Sequence, residues 1–254
     1  MLMIKCPKSF FLCSGSWGSG FYIGAYKAMV EKWGYKKLKK CKFGGNSAGG
    51  LIALGIALGI KWERLEKIYL DLAKMAIEKG VMGKMSIYHQ IALEKMLTHK
   101  NDYKKVNGKL FIGLNNFYKK FYVKNKWSSN QDLIECMHAS FHIPYYCTYK
   151  KKIDNKIAID GAIGKPYFKI DNESLIISCR CEKNQAHITC QPKLRYRDVI
   201  KPKLLKYEKI KNKGYLQIMK WNGIYKPLVK DKKGYHIQTM IYWLLRYSEE
   251  IKYI

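Results

Sequence analysis

Acidic side chains are scarce in this sequence. Asp and Glu number 19 against 48 Lys and Arg, a formal net charge of +29. A field of that sign draws polyanions, so nucleic acid and anionic membrane surfaces are the partner classes the charge admits. Lysine-rich faces that are merely solvated give the same count. The excess runs along the whole chain and thickens from Lys193 to Lys233. Metal-ligand patterns are missing too. None of the eight cysteines forms a C-x-x-C pair, and Cys179-Arg180-Cys181 is too tight for a usual zinc knuckle. Most of the cysteines sit in apolar runs and read as small core residues, which points to a reducing compartment. A secretory leader is not expected, because Lys5 and Lys8 interrupt the first apolar run and no clean small-residue cleavage site follows. The apolar stretch 51–60 falls far short of the roughly 20 residues that span a bilayer. The expectation is a soluble or membrane-peripheral protein.

With 254 residues and 48% apolar content, the chain can bury a proper core as one α/β domain. Its most informative stretch is 43–60. Inside it lies Gly45-Asn46-Ser47-Ala48-Gly49, a G-x-S-x-G pentapeptide followed at once by the small and apolar helical run Ala48 to Ile60. Small residues two before and two after a serine let a strand turn sharply into a helix, lifting the hydroxyl into the open. The helix N-terminus favours developing negative charge there. Only 46 residues precede Ser47, room for about two strands and one helix. An ordinary α/β-hydrolase lays down several strands before its nucleophile, so this elbow belongs to a different fold.

Upstream, Ser9 to Cys13 reads as a short buried strand running into Ser14-Gly15-Ser16-Trp17-Gly18-Ser19-Gly20 and a helix from about Phe21 to Lys32, thin-faced at Gly24, Ala25 and Ala28. Strand, glycine-rich loop and helix N-terminus together form a cradle of backbone N–H groups. The loop lacks the Gly-Lys-Ser/Thr ending of a P-loop and the G-x-G-x-x-G of a dinucleotide site. Beside a nucleophile, an oxyanion hole is the reading that fits.

Farther along, Lys40 to Gly44 is expected as a second strand and Trp62 to Lys79 as an amphipathic helix. Ile87 to Leu97 is expected as a helix capped by Ser86. Leu110 to Leu114 and Lys119 to Lys124 read as paired strands; the interleaved segment Tyr118 to Trp127 is either a hairpin with solvated lysines or a stacking ribbon for nucleic acid. Ser129 to Asp132 resembles a capping box opening the helix Leu133 to Ser140. His138 and His142 have no carboxylate ligand nearby in sequence and read as packing or capping groups. Tyr145 to Lys150 and Lys156 to Ile159 are expected as a hairpin turning at Asp154-Asn155. Its second strand ends in Asp160-Gly161-Ala162, a carboxylate at the mouth of an apolar strand. Ser174 to Cys181 reads as a strand, Lys193 to Lys233 as basic and turn-rich, and the last twenty residues as a closing helix or an interfacial anchor.

In order and spacing, the glycine loop, the G-x-S-x-G elbow, the helix ending in Ala139-Ser140 with Ile143-Pro144, and Asp160-Gly161-Ala162 resemble the patatin-like phospholipases. The segment Asp132 to Cys147 particularly resembles the animal branch that includes adipose triglyceride lipase. The resemblance covers roughly residues 9–170; 171–254 forms a basic C-terminal part of the same single domain. It implies a three-layer α/β/α sandwich around a mostly parallel sheet. It implies a Ser–Asp dyad without histidine, which falls on Ser47 and Asp160. The oxyanion donors fall on the loop Gly15, Ser16, Trp17 and Gly18, with Ala48 added; Gly45, Gly49, Gly161 and Ala162 complete the motifs. No cofactor or catalytic metal is implied. The expected partner is a lipid substrate at a membrane or droplet surface, anionic in character, rather than nucleic acid, and a protein coactivator is compatible with the family. Acyl hydrolysis, acyl transfer to a lipid alcohol, and a catalytically inactive cationic module binding a lipid surface or nucleic acid all remain open. A conventional triad through His187 is a further rival. Two departures stand out. Ser14 and Ser16 occupy places where the family often has glycine, and Gly164-Lys165-Pro166 follows the Asp-Gly where the animal branch has Asn-Pro.

Overall fold

The computed structural model describes residues 4–116, 121–148, 152–153, 156–163, 167–181 and 185–228. The chain folds around a mostly parallel sheet flanked by helices. Its central strands are short and apolar on both faces, the pattern of strands covered on both sides. They are β1 (Ser9–Leu12), β2 (Lys42–Gly45), β3 (Leu110–Asn116) and β7 (Ser174–Ser178). β1 lies between β2 and β7, all parallel, with Phe10 level with both Phe43 and Leu175. β3 continues the parallel set beyond β2, and the two-residue β8 (Ile188–Thr189) closes the other side. Two antiparallel strands adjoin β3: β4 (Phe121–Lys124) along Ile112–Asn115, and β6 (Lys156–Ile159) at its last two residues.

Alternation along β1 sends neighbouring side chains to opposite faces. Phe10 and Leu12 join the large core beneath the helices, where Phe10 stacks on Phe43 at 5.5 Å. Phe11 and Cys13 enter a smaller cluster with Ile176 and Phe168, whose ring meets Phe11 edge-on at 4.6 Å.

The helices are α1 (Gly20–Leu38), α2 (Ser47–Ala57), α3 (Trp62–Lys79), α4 (Met85–Met96), α5 (Asp102–Val106), α6 (Asn130–Phe141), α7 (Tyr196–Val199) and α8 (Leu204–Lys220). A single 3-10 turn, Ser16–Ser19, precedes α1, and Gly34 (φ 77°) breaks α1 near its end. The basic segment expected to be turn-rich instead carries α8. Tyr207, Ile210, Gly214 and Ile218 make one buried stripe on it, a spacing obscured in the sequence by the helix's five lysines and one asparagine. The thin face of α1 is where α8 packs. A Cβ on Gly24 would stand 1.9 Å from the Lys211 carbonyl oxygen, and one on Gly214 would stand 1.9 Å from that of Phe21. The two backbones touch through reciprocal glycines.

Other expectations need adjustment. α4 starts at Met85, two residues earlier than a Ser86 cap allows, so Ser86 is buried in the first turn and is not the cap. Ser129 does cap α6, its Oγ accepting from the Asp132 N–H at 3.0 Å, but the Asp132 carboxylate turns back to the N–H of Ser128. Residues Tyr145–Cys147 are a turn in which the N–H groups of Tyr146 and Cys147 both donate to Ile143 O. The strand pairing with β6 is β5 (Lys152–Ile153). The Asp154-Asn155 turn, the departure at 164–166 and the expected terminal helix lie outside the described residues.

Candidate active site

The elbow between β2 and α2 is built from positions where any side chain would collide. A Cβ on Gly45 would lie 2.5 Å from Gly50 N, and one on Gly49 would lie 2.2 Å from the carbonyl oxygens of both Leu12 and Cys13. α2 therefore presses its first turn directly onto the end of β1. Between these glycines Ser47 takes φ 52°, in the left-handed region that side-chain-bearing residues rarely adopt. Such a residue is held against roughly 1–3 kcal/mol of backbone strain by what surrounds it.

Ser140, at the end of α6, supplies that hold. The Ser47 N–H donates to Ser140 Oγ at 3.0 Å, and Ser140 Oγ donates to Gly113 O of β3 at 2.8 Å. The same short stretch aligns the second candidate residue. Asp160 N–H donates to His142 O at 2.7 Å, and Gly161 N–H to Ser140 O at 3.2 Å. Gly161 is backbone-tight as well, since a Cβ there would stand 2.1 Å from Gly113 O. Two residues 113 positions apart in sequence are thus set against one another by the last turn of α6.

Asp160 and Ser47 line one pocket and are both buried. Burial pushes the Asp160 carboxyl from 3.8 up to about 6. Three groups work against it: the Ser47 hydroxyl as a hydrogen-bond donor, the Ala162 N–H (2.9 Å to Oδ1), and the charge of Arg180. Oδ2 is buried without a well-formed hydrogen bond, so the Ser47–Asp160 contact is short of a closed one, as is common before substrate arrives. A carboxyl poised near 6 is ionised at neutral pH yet basic enough to take a proton.

The walls of the pocket are apolar. Leu51 and Ile52 of α2, Leu65, Ile68 and Leu72 of α3, and Met85, Ala92 and Met96 of α4 make a trough leading away from Ser47. Arg180, just past β7, is the one cationic side chain lining it among the described residues.

The glycine loop borders the same pocket through Ser14, Ser16, Trp17 and Ser19. Ser16 stands at φ 45°, a conformation suited to glycine, and its Oγ pairs with Tyr146 Oη at 3.1 Å. Gly15 sits behind, where a Cβ would press within 2.7 Å of Cys179 Sγ. The Gly18 N–H already donates to Gly15 O at 2.8 Å. Ala48 lines the pocket in the first turn of α2, where an α-helix leaves N–H groups without intrahelical acceptors. Ala162 lines it opposite.

The histidines singled out in the sequence take other roles, whereas His89 lines the pocket. His138 Nε2 pairs with Gln90 Oε1 at 2.8 Å, and the His142 carbonyl serves Asp160 as described. His187 Nδ1 accepts the Ile176 N–H at 2.9 Å while its ring meets Tyr225 edge-on. It is not among the pocket's residues, so the triad through His187 is not assembled. Arg180 and the anchoring role of Ser140 went unnoticed in the sequence; the short Cys-Arg-Cys at a strand end was the available signal for the former. Among the described residues no cluster of ligands suited to a metal is present, and no helix is long and apolar enough to cross a membrane.

Comparison with solved structures finds VipD from Legionella pneumophila at 13% identity and TM-score 0.48, covering 68% of this chain and 49% of that one. ExoU of Pseudomonas aeruginosa, solved in full length with SpcU, follows at 13% identity and TM-score 0.46, covering 84% and 51%. The chain spans about half the length of these structures. A search of curated proteins gives no match. The patatin-like phospholipase profile matches residues 11–168, more than half of the chain and the whole stretch from the glycine loop through Asp160. The chain belongs to the patatin-like phospholipase family.

Proposed function

We propose that this protein hydrolyses fatty-acyl esters of membrane lipids through a Ser47–Asp160 dyad. The observation that carries the proposal is a strained serine facing a buried carboxyl held near 6 at the end of an apolar trough. Asp160 accepts the Ser47 proton as the serine oxygen attacks the ester carbonyl. The tetrahedral oxyanion is received by N–H groups of Ser16, Trp17 and Ala48; the Gly18 N–H is already engaged. Collapse expels the lipid alcohol, which takes the proton from Asp160 and leaves the acyl chain on Ser47. Water, deprotonated by the same carboxylate, then releases the fatty acid. Each oxyanion donor is worth about a hundred- to a thousandfold in rate.

Arg180 favours a glycerophospholipid over a triacylglycerol. It lines the pocket that holds Ser47 and Asp160, and a guanidinium fork matches a phosphodiester lying a few bonds from the scissile ester. The test uses the parent, Ser47→Ala and Asp160→Asn with mixed phospholipid vesicles and, separately, a triacylglycerol emulsion, with products read by mass spectrometry. Free fatty acid from phospholipid, lost in both variants, supports the reading. Acyl chains appearing on a lipid alcohol would assign the same dyad to transfer. Activity surviving Ser47→Ala refutes it.

A further inference from the structure

We propose that the mouth of this pocket is a docking surface for an anionic lipid bilayer, formed by three chain segments that carry exposed apolar tips among lysines. The inference rests on the reading of the pocket as a lipid-ester site, and it names the surface that would bring that site to its substrate.

The three segments are tied to one another. The N–H groups of Gly83 and Met85 donate to the carbonyls of Tyr145 and Tyr146 at 2.9 and 3.2 Å. The Tyr146 hydroxyl donates to the carbonyl of Ile200. Each segment gives the pocket a wall residue: Met85, Tyr146 and Ile200. Each also carries a large exposed apolar side chain within about five residues along the chain. Ile87 is 44% exposed, Tyr145 62%, and Leu205, opening α8, fully. Lys84, Lys201 and Lys206 are exposed beside them. The only acid on these stretches is Asp198, already shared by Lys203 and Lys206.

Tyr145 is the informative member. It sits at φ 66°, where glycine or asparagine would be unstrained, and its ring is in water. Strain and exposure both count against the folded chain. An aromatic ring with a polar tip is suited to the headgroup boundary of a bilayer. Lysines around it suit an anionic leaflet, each contributing about fivefold in affinity, in keeping with the net charge of +29.

Binding is measured on the full chain carrying Ser47→Ala, so that no lipid is consumed, by co-sedimentation with phosphatidylcholine vesicles with and without phosphatidylglycerol. The background protein is expected to bind the phosphatidylglycerol vesicles at least tenfold better. Adding Ile87→Ser, Tyr145→Gly and Leu205→Ser together should lower that binding ten- to a hundredfold. Tyr145→Gly alone should lower it severalfold while raising the melting temperature, because it relieves the positive φ; loss of binding then does not stem from unfolding. Leu216→Ser with Met219→Ser, on exposed positions farther along α8, should leave it within twofold. In the Ser47 background the rim variants should turn over a water-soluble short-chain ester within about threefold of the parent. Unaltered vesicle binding by the triple variant overturns the inference, as does equal binding to uncharged vesicles, loss of binding through Leu216 and Met219 instead, or retention on RNA in preference to vesicles. Soluble-ester turnover without vesicle binding would sink the docking surface and leave the lipase reading standing. Rim-dependent vesicle binding with no turnover of any ester would do the reverse.

Discussion

Replacing Asp160 with asparagine should make the protein more stable and inactive at once. The reasoning starts from the carboxyl's surroundings. Burial holds its pKa at about 6 in the folded chain against 3.8 unfolded, even with Ser47, the Ala162 N–H and Arg180 pulling it down. A folded-state value above the unfolded one means that the native protein takes up the proton more readily. The favourable term is complete below about pH 3.8 and is lost as pH rises through about 6. Above that, the ionised carboxylate destabilises the fold by on the order of 3 kcal/mol. Asparagine keeps an oxygen for the Ala162 N–H and carries no charge. At pH 8 the variant should therefore melt about 6–12 °C above the parent, taking about 2–4 °C per kcal/mol for a chain of this size. At pH 4 the increment should shrink toward zero. Ester turnover should fall by about 100- to 10,000-fold with the base gone, and the parent's own rate should rise with pH through a limb near 6. Scanning calorimetry at both pH values checks the stability half. An equal melting temperature at pH 8, or the same increment at both pH values, would refute the assignment of a strained buried carboxylate.

Three further outcomes follow from the geometry. Ser140→Ala removes the acceptor of the Ser47 N–H and the donor to Gly113 O; it should cost about 1–3 kcal/mol in urea unfolding and lower kcat more than it raises KM. Gly49→Ala drives a methyl to 2.2 Å from two carbonyl oxygens, and soluble expression of folded protein should collapse; circular dichroism of a native-like variant would contradict this. His187→Ala should leave kcat/KM for a soluble ester within about twofold, since His187 lies outside the pocket; a loss beyond tenfold would reinstate a histidine base.

The sequence made the elbow legible because close backbone packing leaves only glycine at positions 45 and 49. The carboxylate after β6 could be singled out because an apolar strand ended in it. Trp62–Lys79 was read to the residue, its apolar stripe having a clear helical period. What escaped notice depended on distant partners. Ser140 looked like a family marker, and its work as a bridge to Ser47 and Gly113 exists only once α6 meets β3. α8 was hidden because its buried stripe runs through Gly214, a residue that ordinarily argues against a helix interior. Its tolerance there comes from α1 approaching too closely for any side chain. Tyr145–Cys147 looked extended from its aromatics, whereas two N–H groups folding back on Ile143 O make it a turn.

The contact between Gly24 and Gly214 bears on where this protein can be cut. The family match ends at residue 168, yet α8 begins at Leu204, and β7, which completes the hydrogen bonding of β1, begins at Ser174. A fragment trimmed to the matched span would bare an unpaired strand edge in the middle of the sheet, an invitation to edge-to-edge aggregation. It would also leave a narrow trench along α1, shaped by a glycine for a neighbouring backbone and filled by none. The span that the family profile matches is shorter than the packed structure, and any dissection of the protein has to carry α8 with it.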